Sequence, residues 1–404
     1  MLVIRMAWRN AWRHKRRTSI VAIAVAVGIT GTLLSIALNY GMINQMIDTA
    51  IATDLGHVQV HARGYESDPE LHVQIEDGAR APLAALASLP EVRGFARRVR
   101  AEGLISSPRA SAGVRVVGIE PEAEARVSLI ADSVLRGAYL DERGARVLLG
   151  EALARRLEVD LGDKVVLSVQ DLAGDLTGDA LRVEGIFRTP SSALDRGNVF
   201  VRLDRAQALF GLGDAITEVV VRADSRAAAA RVRDALAARL PDLEVRSWDQ
   251  REPALLYLVD LSDQSALIVY AAIFTAMAFG IANVLLMTVF ERRQEIGVLT
   301  AIGFGRARLV ATIAAEALVV TGLGLLAGFG GAAGVVWALR DGIDLSAFAE
   351  GLTAYGIGTR VIPLLRGQDF VAPLVVALVT AALASAWPAW RAVRLRPAEA
   401  VRQP

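Results

Sequence analysis

Four long apolar segments divide the chain, each rich in Ala, Leu, Val, Ile and Gly and almost free of charge. They cover residues 20–38, 266–290, 309–339 and 370–387. A bilayer core of roughly 30 Å needs about 20 helical residues to cross it. Because the segments reach or approach that length, the pattern predicts four transmembrane helices. A large buried helical core would not explain runs with so little charge.

The stretch between the first two apolar segments has the pattern of a folded α+β domain. Alternation of apolar and polar positions, as in strands, begins at residues 56–61. Further strands are predicted at 114–119, 147–150, 164–169, 181–187 and 198–201, and helices at 81–89, 151–157 and 226–240. The predicted fold class is therefore an α-helical membrane protein with a large α+β domain between its first and second transmembrane helices.

The same pattern sets the predicted boundaries. They are an interfacial helix at 1–17, transmembrane helices at 18–39, 264–290, 309–339 and 370–388, the α+β domain at 40–263, a cytoplasmic loop at 291–308, a linker at 340–369 and a tail at 389–404. In the first piece, apolar and basic residues recur at helical spacing. These are Ile4, Trp8 and Trp12 beside Arg5, Arg9 and Arg13. That pattern favours a helix in the headgroup layer, in contact with membrane lipid.

Charge predicts the orientation of the chain in the membrane. Residues 1–17 hold six Lys/Arg and no acid, and the 291–308 loop holds four arginines. Residues 40–263 instead hold 27 Lys/Arg against 35 Asp/Glu, a net charge of −8. Short positive loops stay in the cytoplasm, whereas long domains translocate largely regardless of charge. We therefore expect cytoplasmic termini and an outer α+β domain. The first segment is longer than a signal-peptide core and lacks a clear cleavage site, which favours an uncleaved helix.

No enzyme site or resident cofactor is predicted. The chain has two lysines, Lys15 and Lys164, and neither lies in the glycine-rich setting of a phosphate-binding loop. There is no cysteine, and His57 with His61 lacks a third obvious zinc ligand, so no metal site is expected. The glycines of the third apolar segment, spaced by four as in Gly324/Gly328 and Gly330/Gly334, favour close helix packing over a dinucleotide fingerprint.

Glu316 is an ionisable residue inside the third apolar segment. A charge at the bilayer centre costs about 2.5 kcal/mol or more, so such a group is a functional candidate by default. Two interpretations stay open. A structural polar contact with a neighbouring helix is favoured, and a proton relay is less favoured because no second embedded acid accompanies Glu316.

The charged loop at 291–308 separates the second apolar segment from the third. Ile296, Leu299 and Ile302/Gly303 recur at three- or four-residue spacing and form a narrow apolar stripe on a predicted short helix. A simple connecting loop needs no such stripe. The pattern therefore indicates a docking surface for another protein, in the manner of a helix in a groove.

Two motifs carry a family resemblance. NVLLMTVFERRQEIGVLTAIG (residues 283–303) and PAWRAVRLRPAEAVR (388–402) resemble the MacB/FtsX-like permease family. The resemblance implies a bacterial inner-membrane permease of a mechanotransmission-type ABC transporter. It also implies a second permease chain and a separate ATPase dimer, which would hold ATP and magnesium. The coupling helix that contacts the ATPase would include Glu291, Arg292, Arg293, Glu295, Ile296, Gly297, Leu299 and Gly303.

Size and topology resemble the lipoprotein-releasing permeases of the LolC/LolE type, and residues 161–201 resemble their outer domain. The expected substrate is then a lipoprotein, passed to a periplasmic carrier. Residues 171–180 form a short, proline-free hairpin where LolC-type members hold the carrier, which favours a LolE-like role. Candidate acyl-chain contacts, each of which would equally suit plain lipid or helix contact, are Leu34, Leu38, Met42, Met46, Leu267, Tyr270 and Ile273.

Two alternatives within the family stay open. A MacB-like member would expel peptides, toxins or drugs from the periplasm. An FtsX-like regulator of cell-wall hydrolases would have a smaller outer domain and is ranked last. Nucleic acid is not expected among the partners.

Overall fold

The structure, a computed structural model, describes residues 2–13, 15–65, 67, 70–140, 144–302 and 304–394. Contacts divide the chain into two compact units. The helical unit consists of the residues up to 42, residues 259–343 and the residues from 361 onward. The sheet unit consists of residues 43–258 and 344–360. The end of the predicted tail, from residue 395 on, lies outside the described residues.

The elements follow one another along the chain with helices at both ends and strands between them. The α-helices are α1 Leu2–Arg13, α2 Lys15–Ala50, α3 Arg80–Ala87, α4 Pro121–Val127, α5 Glu151–Leu157, α6 Ser192–Gly197, α7 Leu203–Phe210, α8 Arg226–Arg239, α9 Trp248–Arg251, α10 Pro253–Glu291, α11 Arg293–Ala301, α12 Arg306–Ala338, α13 Ala349–Ala354 and α14 Val371–Val393. The strands are β1 Val58–Ala62, β2 Val92–Ser106, β3 Ser111–Ile119, β4 Val134–Gly137, β5 Arg146–Gly150, β6 Lys164–Gln170, β7 Leu176–Phe187, β8 Asn198–Arg202, β9 Glu218–Ala223, β10 Leu243–Ser247, β11 Ile343–Asp344 and β12 Arg360–Val361. A π-helical turn, Ile51–Leu55, continues α2.

Four helical spans among the described residues are long and apolar enough to cross a membrane. They are Thr18–Leu55, Pro253–Glu291, Arg306–Ala338 and Gly367–Val393. The predicted apolar segments lie inside these spans, except that the third extends one residue beyond Ala338. Helix α10 begins at Pro253, well before the boundary predicted at 264, because the polar residues Asp260, Ser262 and Asp263 do not end the helix.

Close backbone approach joins α2 to α12 in the helical unit. A Cβ added at Gly324 would lie 2.6 Å from the Cβ of Val25, and one at Gly328 would lie 2.8 Å from that of Ile29. Thr30 Oγ1 also donates to the Gly328 carbonyl at 3.1 Å. The predicted packing role of Gly324/Gly328 is confirmed. At Gly330 and Gly334 an added Cβ would meet no other helix of this chain within 4 Å, so their packing role stays a prediction.

The sheet unit is built on one mixed sheet of ten strands. Nine of them follow the order β10-β1-β9-β2-β3-β8-β5-β7-β4, and β6 pairs with β2 and β7. Most pairs are antiparallel, whereas β3–β8 and β5–β7 are parallel. Alternate strand residues and the inner faces of α5, α7 and α8 form the main apolar core. The predicted strands at 114–119 and 164–169 fall within β3 and β6.

A buried ionic cluster links four elements of the sheet unit. We define it as Asp54, Arg98, Arg100, Glu124 and Glu218. Arg98, which is 1% exposed, donates to both carboxylate oxygens of Glu124 at 2.9 and 2.6 Å. Arg100 lies 2.7 Å from Asp54 and 2.9 Å from Glu218. Burial alone would raise the pKa of Glu218, but Arg100 and Arg98 outweigh burial and lower it.

The two histidines considered as zinc ligands, His57 and His61, are both buried. His61 Nδ1 lies 3.2 Å from the Thr217 carbonyl oxygen, and its ring stacks on Tyr65. Burial lowers the pKa of both His57 and His61 to about 4, so both are neutral at pH 7. Within the described residues, no group of three or more His, Asp or Glu side chains is arranged to hold a metal ion.

Candidate functional site

The loop predicted to dock a partner contains a separate short helix. Helix α10 ends at Glu291, and Arg292 leaves helical geometry with φ −105° and ψ 23°. Helix α11 then runs for nine residues. Gly305, in extended conformation, directly precedes α12. The chain thus breaks its helix twice within the loop, and the two breaks set α11 apart from the long helices on either side.

The residues of the predicted docking stripe lie on two different sides of α11. Ile296 and Gly297 are buried, and Leu299 lines a small internal cavity of about 40 Å³. The exposed side instead carries Val298, 51% exposed, and Ile302, 75% exposed. Glu291 and Gln294 are exposed as well. The predicted Gly303 lies outside the described residues.

Arg292 is the centre of a network that we call the polar junction, consisting of Asn10, Arg13, Arg292, Glu295 and Glu316. Arg292 Nε donates to Glu295 at 2.8 Å, and Nη2 donates to Asn10 Oδ1 at 3.2 Å. Its Nη1 lies 3.8 Å from Glu316 Oε2. Arg13 Nη1 donates to the other oxygen of Glu295 at 3.0 Å. The network joins α1, the start of α11 and α12.

The junction explains which charged side chains of the loop face inward. The Arg292 side chain is only 17% exposed, so it serves the junction and offers little to a partner. The hydrogen bond from Arg292 holds the pKa of Glu295 below its usual value, with smaller contributions from Arg13. Arg293, half-buried, lies over the Phe290 ring at 6.0 Å. Glu316 is buried beside Arg292, an arrangement that fits a structural polar contact.

An apolar groove of about 380 Å³ runs between α2 and α10 in the helical unit. Of the predicted acyl-chain contacts, Ile273 lines this groove, opposite Gly28. Tyr270 is half-buried near Phe274, with ring centroids 6.0 Å apart, and Leu267 is exposed. Groove residues that the sequence-based prediction did not include are Ile20, Val21, Ala24, Val25, Ile29, Ala276, Met277, Gly280, Ile281, Asn283 and Val284.

The remaining predicted contacts lie further along α2. Leu34, Leu38 and Met42 are half-buried. Met46, in the sheet unit, lines an open cavity of about 700 Å³ together with Leu255 and Tyr355. The structure thus does not gather the predicted contacts into one site.

The predicted carrier hairpin is a tight turn between β6 and β7. Strand β7 begins at Leu176, so the connection spans only 171–175. Asp171 Oδ1 accepts from the amides of Ala173 and Asp175 at 3.0 and 2.9 Å. No long protruding loop is present at these described residues.

Two family descriptions match most of this chain. The MacB-like periplasmic core domain matches residues 18–239, and the FtsX-like permease C-terminal domain matches residues 267–397. The chain therefore belongs to the MacB/FtsX-like permease family, as its motifs at 283–303 and 388–402 predict.

Relatives of known name match nearly the full length. The LolC protein of the lipoprotein-releasing system of Xylella fastidiosa is 26% identical, with 96% of each chain covered. The LolE protein of Haemophilus influenzae is 23% identical, covering 98% of this chain and 97% of its own. A pyoverdine export ATP-binding/permease protein of Pseudomonas syringae is 24% identical over 98% of this chain and 59% of its own.

Sequence reasoning missed the polar junction and, on the outward face of α11, Val298, whereas Ile302 belonged to the predicted stripe and is exposed. Arg13 and Glu295 are 282 positions apart, and no local spacing pairs them. The outward face had a detectable signal, because Val298 and Ile302 lie four residues apart, as neighbours on a helix do. The Ile296/Leu299 stripe has an equivalent spacing, so spacing alone did not distinguish the buried face from the exposed one.

Proposed function

We propose that this chain is the permease subunit of a mechanotransmission-type ABC transporter that releases lipoproteins from the inner membrane. The four apolar spans cross the membrane, both termini are cytoplasmic and the sheet unit is periplasmic. A separate ATPase dimer binds ATP and magnesium, and a second permease chain, identical or homologous, completes the complex. This chain has no catalytic role of its own.

The observation that carries the proposal is α11, a short helix between two apolar spans with Val298 and Ile302 exposed on one side. Neighbouring apolar residues exposed together on a charged loop form a patch of the kind that marks a contact with a partner. We infer that these two residues, with Gln294 and Glu291, contact the ATPase subunit. Ile296, Gly297 and Leu299 hold α11 against α10 and α12. Arg292, Glu295 and Glu316 fix its orientation.

The substrate follows from the two named relatives of the lipoprotein-releasing system, which match nearly full length. Removing acyl chains from a bilayer costs about 0.8 kcal/mol per buried CH₂, so extraction requires coupled ATP hydrolysis and an apolar shelter. We propose the groove between α2 and α10 as part of that shelter, because Ile273, Met277 and Ile281 line it. The LolE-like role stays a prediction, supported by the short turn at 171–175.

The docking surface is tested by the double variant Val298→Asp/Ile302→Asp, purified with the ATPase subunit from membranes. We expect loss of the ATPase subunit, because two carboxylates would be desolvated in an apolar contact. The matched control is Val298→Leu/Ile302→Leu, which keeps the apolar surface and should retain the subunit. Full retention and full ATPase activity in the aspartate variant would show that α11 docks nothing.

Lipoprotein release is tested by depleting the chain and fractionating the membranes. We expect lipoproteins to accumulate in the inner membrane. The pyoverdine-export relative supports a second candidate, efflux from the periplasm. Normal lipoprotein sorting together with loss of export of a small molecule would favour efflux and contradict lipoprotein release.

A further inference from the structure

Helix α1 presents three different faces. Ala7 is buried, and Met6 and Asn10 line the small cavity beside the polar junction. Trp8 and Trp12 are exposed, at 49% and 52%, with ring centroids 5.9 Å apart. The exposed cations of α1 and of the first residues of α2 are Arg5, Arg9, Arg13, Lys15 and Arg16. Helix α1 contains no acidic residue.

The place of α1 in the chain identifies what covers its exposed faces. Helix α2 begins at Lys15 and its apolar span begins at Thr18, only a few residues after α1 ends. If α2 crosses the bilayer as proposed, α1 lies beside the point of entry. Indole rings favour the membrane–water interface, and clustered Lys/Arg attract anionic headgroups. An exposed basic and aromatic helix at this position fits the headgroup layer of the cytoplasmic leaflet.

Two hydrogen bonds connect α1 to the loop that carries α11. Asn10 accepts from Arg292 at 3.2 Å, and Arg13 donates to Glu295 at 3.0 Å. The Arg13 side chain is 66% exposed, so its guanidinium is reachable from solvent and from headgroups while it holds Glu295. Arg13 is thus common to the basic face of α1 and to the polar junction.

We propose that the basic face of α1 binds anionic phospholipid headgroups and that this binding moves α11 through the polar junction. A headgroup phosphate near Arg13 competes with Glu295 for the same guanidinium, because both are anionic acceptors. In a membrane of neutral net charge, Arg13 stays on Glu295 and α11 is held against α1. In an anionic membrane the pair opens. The proposal rests on the proposed crossing of α2, and its consequence for transport rests on α11 as the coupling helix.

The test uses the full chain alone, in nanodiscs of phosphatidylcholine with increasing fractions of phosphatidylglycerol. The chain has no cysteine, so Val298→Cys accepts a single spin label on the exposed side of α11. We expect the label's mobility to change as phosphatidylglycerol is added, and the change to weaken at high salt. Without an ATPase subunit in the sample, the response reports lipid alone.

Variants in the labelled background separate binding from transmission. Arg9→Gln/Arg16→Gln removes two cations outside the junction, each contributing about fivefold to headgroup binding, and should abolish the response. Arg13→Gln should also abolish it, by cutting the link to Glu295. The matched control, Arg155→Gln/Arg156→Gln, removes two exposed cations of α5 and should respond like the parent.

Three outcomes would overturn the inference. They are a label insensitive to phosphatidylglycerol, a response that survives Arg9→Gln/Arg16→Gln, and a response that survives Arg13→Gln. None of them bears on whether the ATPase subunit binds Val298 and Ile302, which the aspartate variant tests separately. Conversely, loss of the ATPase proposal would leave a lipid response of α1 and α11 intact.

Discussion

Different interactions stabilise the interior of the sheet unit and the interior of the helical unit. The sheet unit gathers five charged side chains in one cluster, in which Arg98, Glu124 and Glu218 are buried and Arg98 contacts both of these carboxylates. The helical unit buries few charges and instead brings α2 and α12 into backbone contact at Gly324 and Gly328. The polar junction, in contrast, is partly exposed to solvent.

The difference follows from the surroundings that each unit is proposed to have. Between helices in lipid there is little hydrophobic driving force, so close packing of small residues supplies the contact energy. In the sheet unit, burial of apolar residues drives folding, and an ion cluster is tolerated only when every charge has partners. We therefore expect charge removal to damage the sheet unit most and added volume to damage the helical unit most.

The largest effect is expected from Arg98→Met. It leaves Glu124 buried without its bidentate partner and Glu218 with Arg100 alone, which costs about 3–5 kcal/mol. The free energy of unfolding is measured on the full chain in nanodiscs, by pulse proteolysis in urea with cleavage of the sheet unit as the readout. The control Arg93→Met breaks an exposed pair with Asp224 and should cost about 0–1 kcal/mol. Equal costs for the two variants would contradict a specific role for the buried cluster.

A pH effect of about 3 kcal/mol is expected from His61. Its pKa is about 4 when folded, against an ordinary value of 6.5, so only the unfolded chain takes up a proton between these values. This stability is fully present above pH 6.5 and is lost as the pH falls towards 4. His61→Asn keeps a donor near the Thr217 carbonyl and cannot be protonated there. The variant should lose less stability than its parent between pH 7 and pH 4.5 in the same proteolysis assay.

The parent and the variant must be compared at each pH, because Asp195 acts in the opposite direction. Burial raises the pKa of Asp195 to about 6, so its contribution falls as the pH rises through that value. The two histidines and Asp195 partly cancel in the parent, whereas the difference between parent and His61→Asn isolates His61. An unchanged pH profile in the variant would show that His61 is not buried neutral.

A smaller effect, about 1–3 kcal/mol, is expected from Gly328→Ala in the helical unit. The new Cβ would lie 2.8 Å from the Ile29 Cβ and 3.0 Å from the Ala26 carbonyl oxygen, so α2 and α12 must move apart. The control on the same helix is Gly330→Ala, which meets no atom within 4 Å. Midpoints of thermal inactivation in detergent should fall for the first and not for the second; the reverse order would place α2 on the other face of α12.

Local sequence patterns predicted the elements that repeat a simple period. The apolar spans follow from long runs without charge, β3, β6, α5 and α8 follow from runs of period 2 or 3.6, and the family follows from two motifs. Strand β2 was not predicted because its fifteen residues include four arginines, two of which, Arg98 and Arg100, pair with acidic residues at distant positions. Burial of a charge depends on contacts that a local pattern does not contain.

The sequence predicted where the short helix α11 lies in the chain, but not which of its faces is exposed. A charged loop between apolar segments marked α11, whereas the face it exposes depends on how Ile296 and Leu299 pack against α10 and α12. Glu316 was recognised as unusual from sequence, but its neighbour Arg292 was assigned to docking. The junction became visible only when α1, α11 and α12 were placed together.

The most direct test of the central claim is site-specific photo-crosslinking from α11 in the assembled transporter. A photoreactive amino acid is placed at Val298, on the exposed face, or at the adjacent Leu299, which lines the internal cavity. If ATP-driven motion enters through the exposed face, Val298 crosslinks to the ATPase subunit and Leu299 does not. A crosslink from Leu299 alone, or from neither position, would contradict the account.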